Sequence, residues 1–369
     1  VPGLVAALSS FDYPKERLDI KLVVECDDME TRLALDLMNL GAPFEIVIAP
    51  SAGPRTKPKA LNAALPFARG RYVAIFDAED RPEPQQLRIA LSAFEAGDPK
   101  LASVQARLTI DNTSDNWLTR LFTAEYAALF DVFLPGLASW RMPLPLGGTS
   151  NHFQTTTLRA LGGWDPYNVT EDADLGIRLA RAGYHTRLMQ SSTYEEAPAG
   201  LGPWIRQRTR WFKGYLQTWA VHMREPRKLW RELGPGGFLV FQLVIGGAVL
   251  AALVHGVFAA KLAGQLASGL LWAGKASAFD HVLAGLYIMT LITGYLLSAL
   301  LAFIGLSRRR LLPSAGYLVL LPFYWLLLSV AAWRAVFQLI WSPYRWEKTE
   351  HGLARTSRQA MATELPNPP

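Results

Sequence analysis

The order of apolar and polar positions divides the chain near residue 235. Before it, short β-branched and apolar runs alternate with amphipathic stretches. LDIKLVVEC (Leu18–Cys26), FEIVIA (Phe44–Ala49) and RYVAIFD (Arg71–Asp77) read as buried strands, with TRLALDLMNL and KALNAALPFARG between them as helices. This β-α-β-α-β rhythm predicts an α/β domain with a mostly parallel, doubly wound sheet, whose ligands bind beyond the carboxyl ends of the strands. Asp27, Asp28 and Asp77 fall at those ends. The opening VPGLVAALSS predicts a helix with no strand or signal peptide ahead of it, so we expect an N-terminus that lacks the first strand of the domain.

Beyond residue 235 the runs become long and uncharged. Gly237–Ala259 and Val282–Leu306 can each cross about 30 Å of hydrocarbon at 1.5 Å per residue, and a third apolar stretch begins at Ala315, with Pro322 inside it. The domain plan expected from this pattern is an α/β unit over 1–203, a basic amphipathic segment over 204–235 and a membrane region over 236–342. The spans lie near 237–259, 282–306 and 315–340, and a basic tail covers 343–369. Residues Arg206–Arg231 hold eight Lys or Arg against one acid, Glu225, interleaved with Trp and Tyr, which favours a cytoplasmic membrane surface. The loop Ala260–His281 carries only Lys261 and Lys275, whereas Arg308, Arg309 and Arg310 follow the second span, so the α/β unit and the arginine cluster are expected on the cytoplasmic side. A re-entrant turn at Pro322 would keep the tail there too. The bulky positions between Trp117 and Trp140 fit either a core helix or one lying at the interface or along an acceptor groove.

Composition sharpens this picture. Half of the 369 residues are apolar, 18% are charged and mean hydropathy is +0.13, which excludes a disordered polymer. The net charge of +6 sits beside apolar runs without a groove-reading motif, so anionic lipid is the expected partner and nucleic acid is not. Cys26 is the single cysteine; it allows no intrachain disulfide and fits a reducing compartment.

Candidate chemistry lies in four places. FDAEDRPEP sets Asp77, Glu79 and Asp80 after a strand, a group of hard oxygen ligands suited to a divalent cation on phosphates, although acids also end strands as turn formers. RTKPKALNAAL offers Lys57 and Lys59 at a helix start, where they could neutralise a diphosphate. In NVTEDADLGIRLARAGY, Thr170 can cap a helix with Glu171 and Asp172 in its first turn. RQRTRWFKG supplies Gln207, Arg210 and Trp211.

Taken in order, Asp-Asp after a strand, KxxALN, an acid triplet of the DxD type, a T-E-D helix start and Q-x-x-R-W before apolar spans resemble the processive family 2 glycosyltransferases. These are the cellulose, hyaluronan, chitin and curdlan synthases, and the likeness covers about Leu18–Lys213 and the trailing spans. The resemblance implies a GT-A (Rossmann-like) catalytic domain followed by α-helical spans. It implies that Asp27 and Asp28 face the nucleobase, that Lys59, Asp77 and Arg210 hold the nucleotide sugar, and that Asp77, Glu79 and Asp80 bind Mg²⁺ or Mn²⁺. Asp172 becomes the general base; Glu171, Gln207 and Trp211 contact the acceptor; Gly147–Phe153 is a looser match to the lining of the acceptor pocket. Inverting transfer then needs a base for the acceptor hydroxyl and positive charge for the departing diphosphate. The implied enzyme is a multi-pass protein of a bacterial inner membrane with its site facing the cytoplasm. It takes a nucleotide sugar, a UDP-sugar by expectation, and builds a β-linked polysaccharide, with accessory export subunits as possible partners. A non-processive enzyme acting on a lipid-linked acceptor and an inactive membrane scaffold are the rivals. WEKTEHG (Trp346–Gly352) is similar in composition to gating motifs of the polymer synthases, and equally to a membrane-surface anchor.

Overall fold

The computed structural model describes residues 2–269, 277–343 and Glu347; apart from Glu347, the WEKTEHG segment lies outside the described residues. The first half alternates as its pattern predicts. Helix α1 (Pro2–Ser9) precedes β1 (Ile20–Glu25), α2 (Met29–Leu37), β2 (Phe44–Ala49), α3 (Lys57–Ala64), β3 (Tyr72–Ile75) and the short β4 (Arg81–Pro82). Then come α4 (Gln86–Glu95), β5 (Leu101–Ile110), α5 (Trp117–Ala128), α6 (Leu134–Ser139), β6 (Asn151–Gln154), α7 (Thr155–Ala160), α8 (Glu171–Arg181) and β7 (His185–Glu195). Strands β1 and β2 form a parallel pair with Ile20 opposite Phe44. The other five are ordered β3-β6-β5-β7-β4, with β5 and β7 parallel and β6 antiparallel to both β3 and β5. Strands β3, β5 and β7 therefore share one direction, and β6 and β4 run against them. The carboxyl ends of β1, β3 and β7 deliver Glu25, Asp77 and Glu195 to one cavity.

The remainder is helical: α9 (Leu201–His222), α10 (Pro226–Phe241), α11 (Ala248–Ala267), α12 (Ala278–Arg308) and α13 (Leu321–Trp341). A π-turn, Gln242–Gly247, joins α10 to α11, and Gly234 (φ 69°) kinks α10 in a conformation that glycine tolerates. Four helical stretches are long and apolar enough to cross a membrane: Trp117–Ser139, Pro226–Ala267, Ala278–Arg308 and Leu312–Trp341. Pro322 does not interrupt the last of these. It stands in the first turn of α13, where its missing N–H breaks no helical bond.

The main core joins the two halves. Leu118, Leu121, Phe122 and Tyr126 of α5 pack with Trp204 of α9 and with Leu321 and Tyr324 of α13. Burial of each such side chain contributes roughly 1.5–3 kcal/mol, so this seam is a firm connection between the sheet domain and the apolar helices. It also answers the question of Trp117–Trp140: one face of α5 is core, while Tyr126, Leu129 and Phe130 line the cavity beside the sheet. The basic segment differs from expectation. Arg208 and Lys213 are buried within α9 instead of lying on an interfacial face, and Arg208 is held there by Glu125 of α5 and the buried Tyr324 of α13. Arg308 and Arg309 are likewise engaged with the α/β unit: Arg309 pairs with Asp131 on the π-turn after α5 and donates to the carbonyl of Leu108 at 3.0 Å, and Arg308 donates to the Asp131 carbonyl.

Candidate active site

A cavity of about 1750 Å³ is lined by Lys57 and by Asp77, Glu79, Glu171, Asp172, Gln207, Arg210 and Trp211, whereas Asp27, Asp28, Lys59 and Asp80 are not on its wall. Its polar part is bounded by Lys57, Asp77, Glu79, Gly147–Thr149, Glu171, Asp172, Glu195, Gln207, Arg210 and Trp211. From there it continues between the apolar helices, past Leu243, Val244, Ala248 and Ala252 to Trp325 and Leu328.

Lys57 is the hub of the polar part. Its ammonium pairs with the carboxylate of Asp77 and donates to the carbonyl of Gly148 at 2.6 Å. Burial works against the charge, but Asp77, Glu171 and Asp80 overcome it and hold the ammonium protonated well above the usual lysine range. Lys59, expected at the diphosphate, points the other way: it is buried, bonded to Glu25 Oε2 at 2.6 Å and to the Pro50 carbonyl at 2.9 Å. Two residues apart in the first turn of α3, the two lysines stand on different faces of the helix, and only Lys57 looks toward the acids.

The acid triplet is divided in the same way. Asp77 and Glu79 line the cavity, whereas Asp80 turns inward and is 1% exposed. Its Oδ2 accepts from the Asp77 backbone N–H at 2.6 Å and from the Thr149 hydroxyl, while Oδ1 is buried with no hydrogen-bond partner. Burial, and then the Asp77 charge, push its pKa well above the usual carboxylate range. Asp80 thus braces the turn that presents Asp77, a structural task that explains why it is not at the cavity wall. Among the described residues no three His, Cys, Asp or Glu side chains form a complete cation site. A cation that keeps its waters and takes phosphate oxygens needs only one or two carboxylates, and the pair of Asp77 and Glu79 fits that demand.

After β1, Asp28 is the N-cap of α2, accepting from Thr31 N–H at 3.1 Å and Thr31 Oγ1 at 3.0 Å, which occupies its carboxylate. Asp27 is exposed and pairs with Arg55 at 3.0 Å. Cys26 follows β1 and is half-buried.

The helix start at Thr170 is built by α9. Gly214 lies so close that a Cβ there would overlap the Thr170 side chain. Asn168 accepts from the Thr170 N–H at 3.0 Å and donates to Thr218 Oγ1 at 2.9 Å, and Gln217 Oε1 accepts from the Val169 N–H at 3.2 Å. Thr170 makes no side-chain cap; Asp172 instead accepts from the following N–H, of Ala173, at 2.8 Å through Oδ1. Its Oδ2 lies beside Gly148, where an added Cβ would meet it at 3.3 Å. Asp172 is pushed above the normal carboxylate range by burial, against the lowering effect of Lys57 and Arg210. Glu171 is pushed well above the usual carboxylate range by burial and then by the neighbouring Asp172 charge.

Gln207 is buried with its Oε1 unpartnered, and Trp211 packs on Tyr126 with ring centroids 6.3 Å apart. The structure brings together Asp77, Glu79, Glu171, Asp172, Gln207, Arg210 and Trp211, and separates Lys59, Asp80 and Asp28 from them by giving each a structural partner. Two site residues escaped sequence reading. Glu195, at the end of β7, lines the cavity and is pushed up to about 8 by burial and by Asp77; the signal was an acid pair at a strand end, EEAP, of the same kind as FDAED. Arg208 sits inside the Q-x-x-R-W motif, where the pattern treats it as a spacer.

Residues 72–341 match the family model described as glycosyl transferase family group 2. The chain belongs to this family. Among curated members of the group 2 glycosyl transferases and their kin, the chain is 29% identical over 215 residues to the probable glycosyltransferase YdaM of Bacillus subtilis, covering 56% of this chain and 50% of that one. It is 28% identical over 259 residues to the β-monoglucosyldiacylglycerol synthase of Synechocystis, covering 67% of this chain and 52% of the relative. It is 31% identical over 144 residues to the probable glucomannan 4-β-mannosyltransferase 7 of rice, covering 39% and 24%. The chain spans about half the length of the first two relatives. In structure it is similar to a mannosyltransferase from Pyrobaculum calidifontis solved with GDP-Man and Mn²⁺, with a TM-score of 0.52 at 20% identity over 92% of this chain and 83% of that one. The shared fold is the GT-A-like α/β fold.

Proposed function

We propose that this group 2 glycosyl transferase moves a sugar from a nucleotide-sugar donor, a UDP-sugar in our reading, onto a hydroxyl of a membrane lipid of the diacylglycerol type, in one inverting step. The observation that carries the reading is the continuity of the cavity: one end holds the acids and cations, and the other passes between apolar helices along Leu243, Val244, Ala248, Ala252, Leu301, Trp325 and Leu328, with His255 and Ser298 as the polar groups on that wall. A hydroxyl on two acyl chains matches such a space, since its chains need an apolar wall and its head needs a base. The Synechocystis relative, named for glucosylation of diacylglycerol, supports it.

In this reading Asp172 takes the proton of the acceptor hydroxyl; its raised pKa makes it a stronger base than an ordinary carboxylate. Arg210 and Lys57 stabilise the charge that grows on the leaving diphosphate. Asp77 and Glu79 would hold Mg²⁺ or Mn²⁺, which supplies Lewis-acid charge to that diphosphate when bound. Asp27 faces the nucleobase, Glu171 and Gln207 position the acceptor head, and Trp211 gives it an apolar surface. In this reading the protein sits in a bacterial inner membrane with this site on the cytoplasmic side, which the basic residues Arg308, Arg309 and Arg310 after one apolar helix support. The rice relative, a named mannan-forming enzyme, favours a second reading in which the acceptor is a growing polysaccharide and the product is passed on for export.

The deciding experiment supplies the full chain in nanodiscs with Mg²⁺ or Mn²⁺, radiolabelled UDP-glucose or GDP-mannose, and dioleoylglycerol. Short lipid-extractable product that falls by about 10²–10⁴ in Asp172→Asn supports the proposal. High-molecular-weight product made without added lipid establishes the polysaccharide reading, and no transfer from any donor overturns both.

A further inference from the structure

Arg208 occupies an unusual position for a guanidinium. It is 3% exposed, and two of its nitrogens make a bidentate pair with Glu125 at 2.6 and 2.7 Å. Nη2 also donates to the hydroxyl of Tyr324 at 3.0 Å, and that hydroxyl donates to Glu125 Oε2 at 2.6 Å. Its carbon lies 4.4 Å from the ring centroid of Phe122 and 4.5 Å from that of Trp211, with Trp204 at 5.3 Å. Three elements therefore converge on one side chain: α5 through Glu125 and Phe122, α9 through Trp204 and Trp211, and α13 through Tyr324. The fork geometry and flat faces of arginine suit this arrangement, and lysine supplies neither.

We infer that Arg208 is the positioning residue of the acceptor platform, fixing the Trp211 ring and linking its placement to the seating of α13. This rests on the proposed acceptor role of Trp211. Trp211 is only partly buried and lines the cavity, where its ring contacts with Phe122 and Tyr126, at 6.0 and 6.3 Å between centroids, leave it some freedom to change rotamer. Cation–π contact with a guanidinium that is itself held by a bidentate carboxylate removes that freedom. Because Tyr324 belongs to an apolar helix long enough to lie in a bilayer, displacement of α13 withdraws a hydrogen bond from Arg208 and loosens the ring. Acceptor binding is thereby tied to the state of the apolar helix, and donor binding much less so, since Lys57 pairs with Asp77 and with the Gly148 carbonyl rather than with Glu125 or Tyr324.

The test measures KM for dioleoylglycerol and for UDP-glucose separately, with the full chain in nanodiscs. Arg208→Lys is expected to raise the acceptor KM about tenfold, with the donor KM within about twofold. Tyr324→Phe, which keeps the ring and its packing, is expected to act in the same direction by a smaller factor. Both effects should vanish in a Trp211→Ala background, where the acceptor KM is already high. Equal changes in both KM values, or an Arg208→Lys effect that persists undiminished without Trp211, would overturn the inference while leaving the acceptor role of Trp211 standing. If Trp211→Ala itself leaves the acceptor KM unchanged, the proposed role of that residue is what fails. Tyr324→Phe guards against a folding artefact, because it deletes a single hydroxyl.

Discussion

Gly214 of α9 fits beneath Thr170 with no room for one more carbon. The helix that carries Gln207, Arg210 and Trp211 is thus pressed against the turn that presents Glu171 and Asp172, and the two motifs are held as one unit. Gly214→Ala must push that turn outward or break the bonds of Asn168 and Gln217 to it. Overpacking of this kind costs about 1–3 kcal/mol. We expect a fall in kcat of at least about tenfold, since displacement of a base by about 1 Å reduces rate steeply. Steady-state transfer and thermal unfolding of the variant check it.

The two lysines of α3 should separate cleanly. Lys59→Met leaves the half-buried Glu25 without its partner, and breaking such a pair is expected to destabilise by up to about 3 kcal/mol. Lys57→Met removes the charge between Asp77 and Gly148 and should reduce donor affinity and turnover with a smaller loss of stability. Nucleotide titration calorimetry beside melting curves distinguishes the two; matching profiles for both variants would refute the assignment.

Asp77 and Asp80 should differ in the same spirit. Removing a cavity-facing carboxylate by Asp77→Asn is expected to raise the Mn²⁺ concentration for half-maximal activity by about ten- to a hundredfold. Asp80→Asn changes a brace beneath the turn, so its main effect should be a lower melting temperature. A metal titration of both variants reads this directly.

Glu195 offers a pH test. Its carboxyl is pushed from 4.5 up to about 8 by burial, then by Asp77, with Tyr126 as a hydrogen-bond partner on the lowering side. A raised folded-state value means that the unfolded chain ionises first. The stability tied to the protonated group is intact below pH 4.5, declines as pH rises, and is lost once pH passes about 8. Glu195→Gln should flatten this decline and, on the order of a few kcal/mol, leave the protein more stable than wild type at pH 8. Unfolding curves in EDTA across this range, with no nucleotide present, are the check; parallel curves for the two proteins would remove Glu195 as the cause.

Much of this architecture could be read before any coordinate was known. Strands β1, β2 and β3 coincide with LDIKLVVEC, FEIVIA and RYVAIFD because strands covered by helices are written as short apolar runs, although only β1 and β2 pair in parallel and β3 pairs antiparallel with β6. The helical spans were legible for the related reason that a lipid-facing helix tolerates no charge. Their limits were not: Pro226–Ala267 begins eleven residues before the expected Gly237, since the kink at Gly234 and the π-turn leave no trace in hydropathy. At the site, the motifs named the right segments but not always the right side chains. Lys57 and Lys59 are equivalent in a pattern, and only the meeting of α3 with Glu25 on one side and Asp77 on the other tells them apart. Asp80 turns inward because Thr149, sixty-nine residues on, waits for it. Arg208 depends on Glu125 and Tyr324, eighty-three and one hundred and sixteen residues away. Such pairings are tertiary facts, and one-dimensional spacing carries no record of them.

The cavity that joins Asp172 to the gap between α11, α12 and α13 has a kinetic corollary. A donor arrives by diffusion through three dimensions and is counted in moles per litre. An acceptor that slides sideways along the bilayer into the same chamber is counted as a mole fraction of surface. With the proposed lipid acceptor, diluting it with inert phospholipid should therefore slow turnover at constant bulk concentration, whereas adding buffer at fixed donor concentration should not, and the rate follows the composition of a leaflet rather than the volume around it.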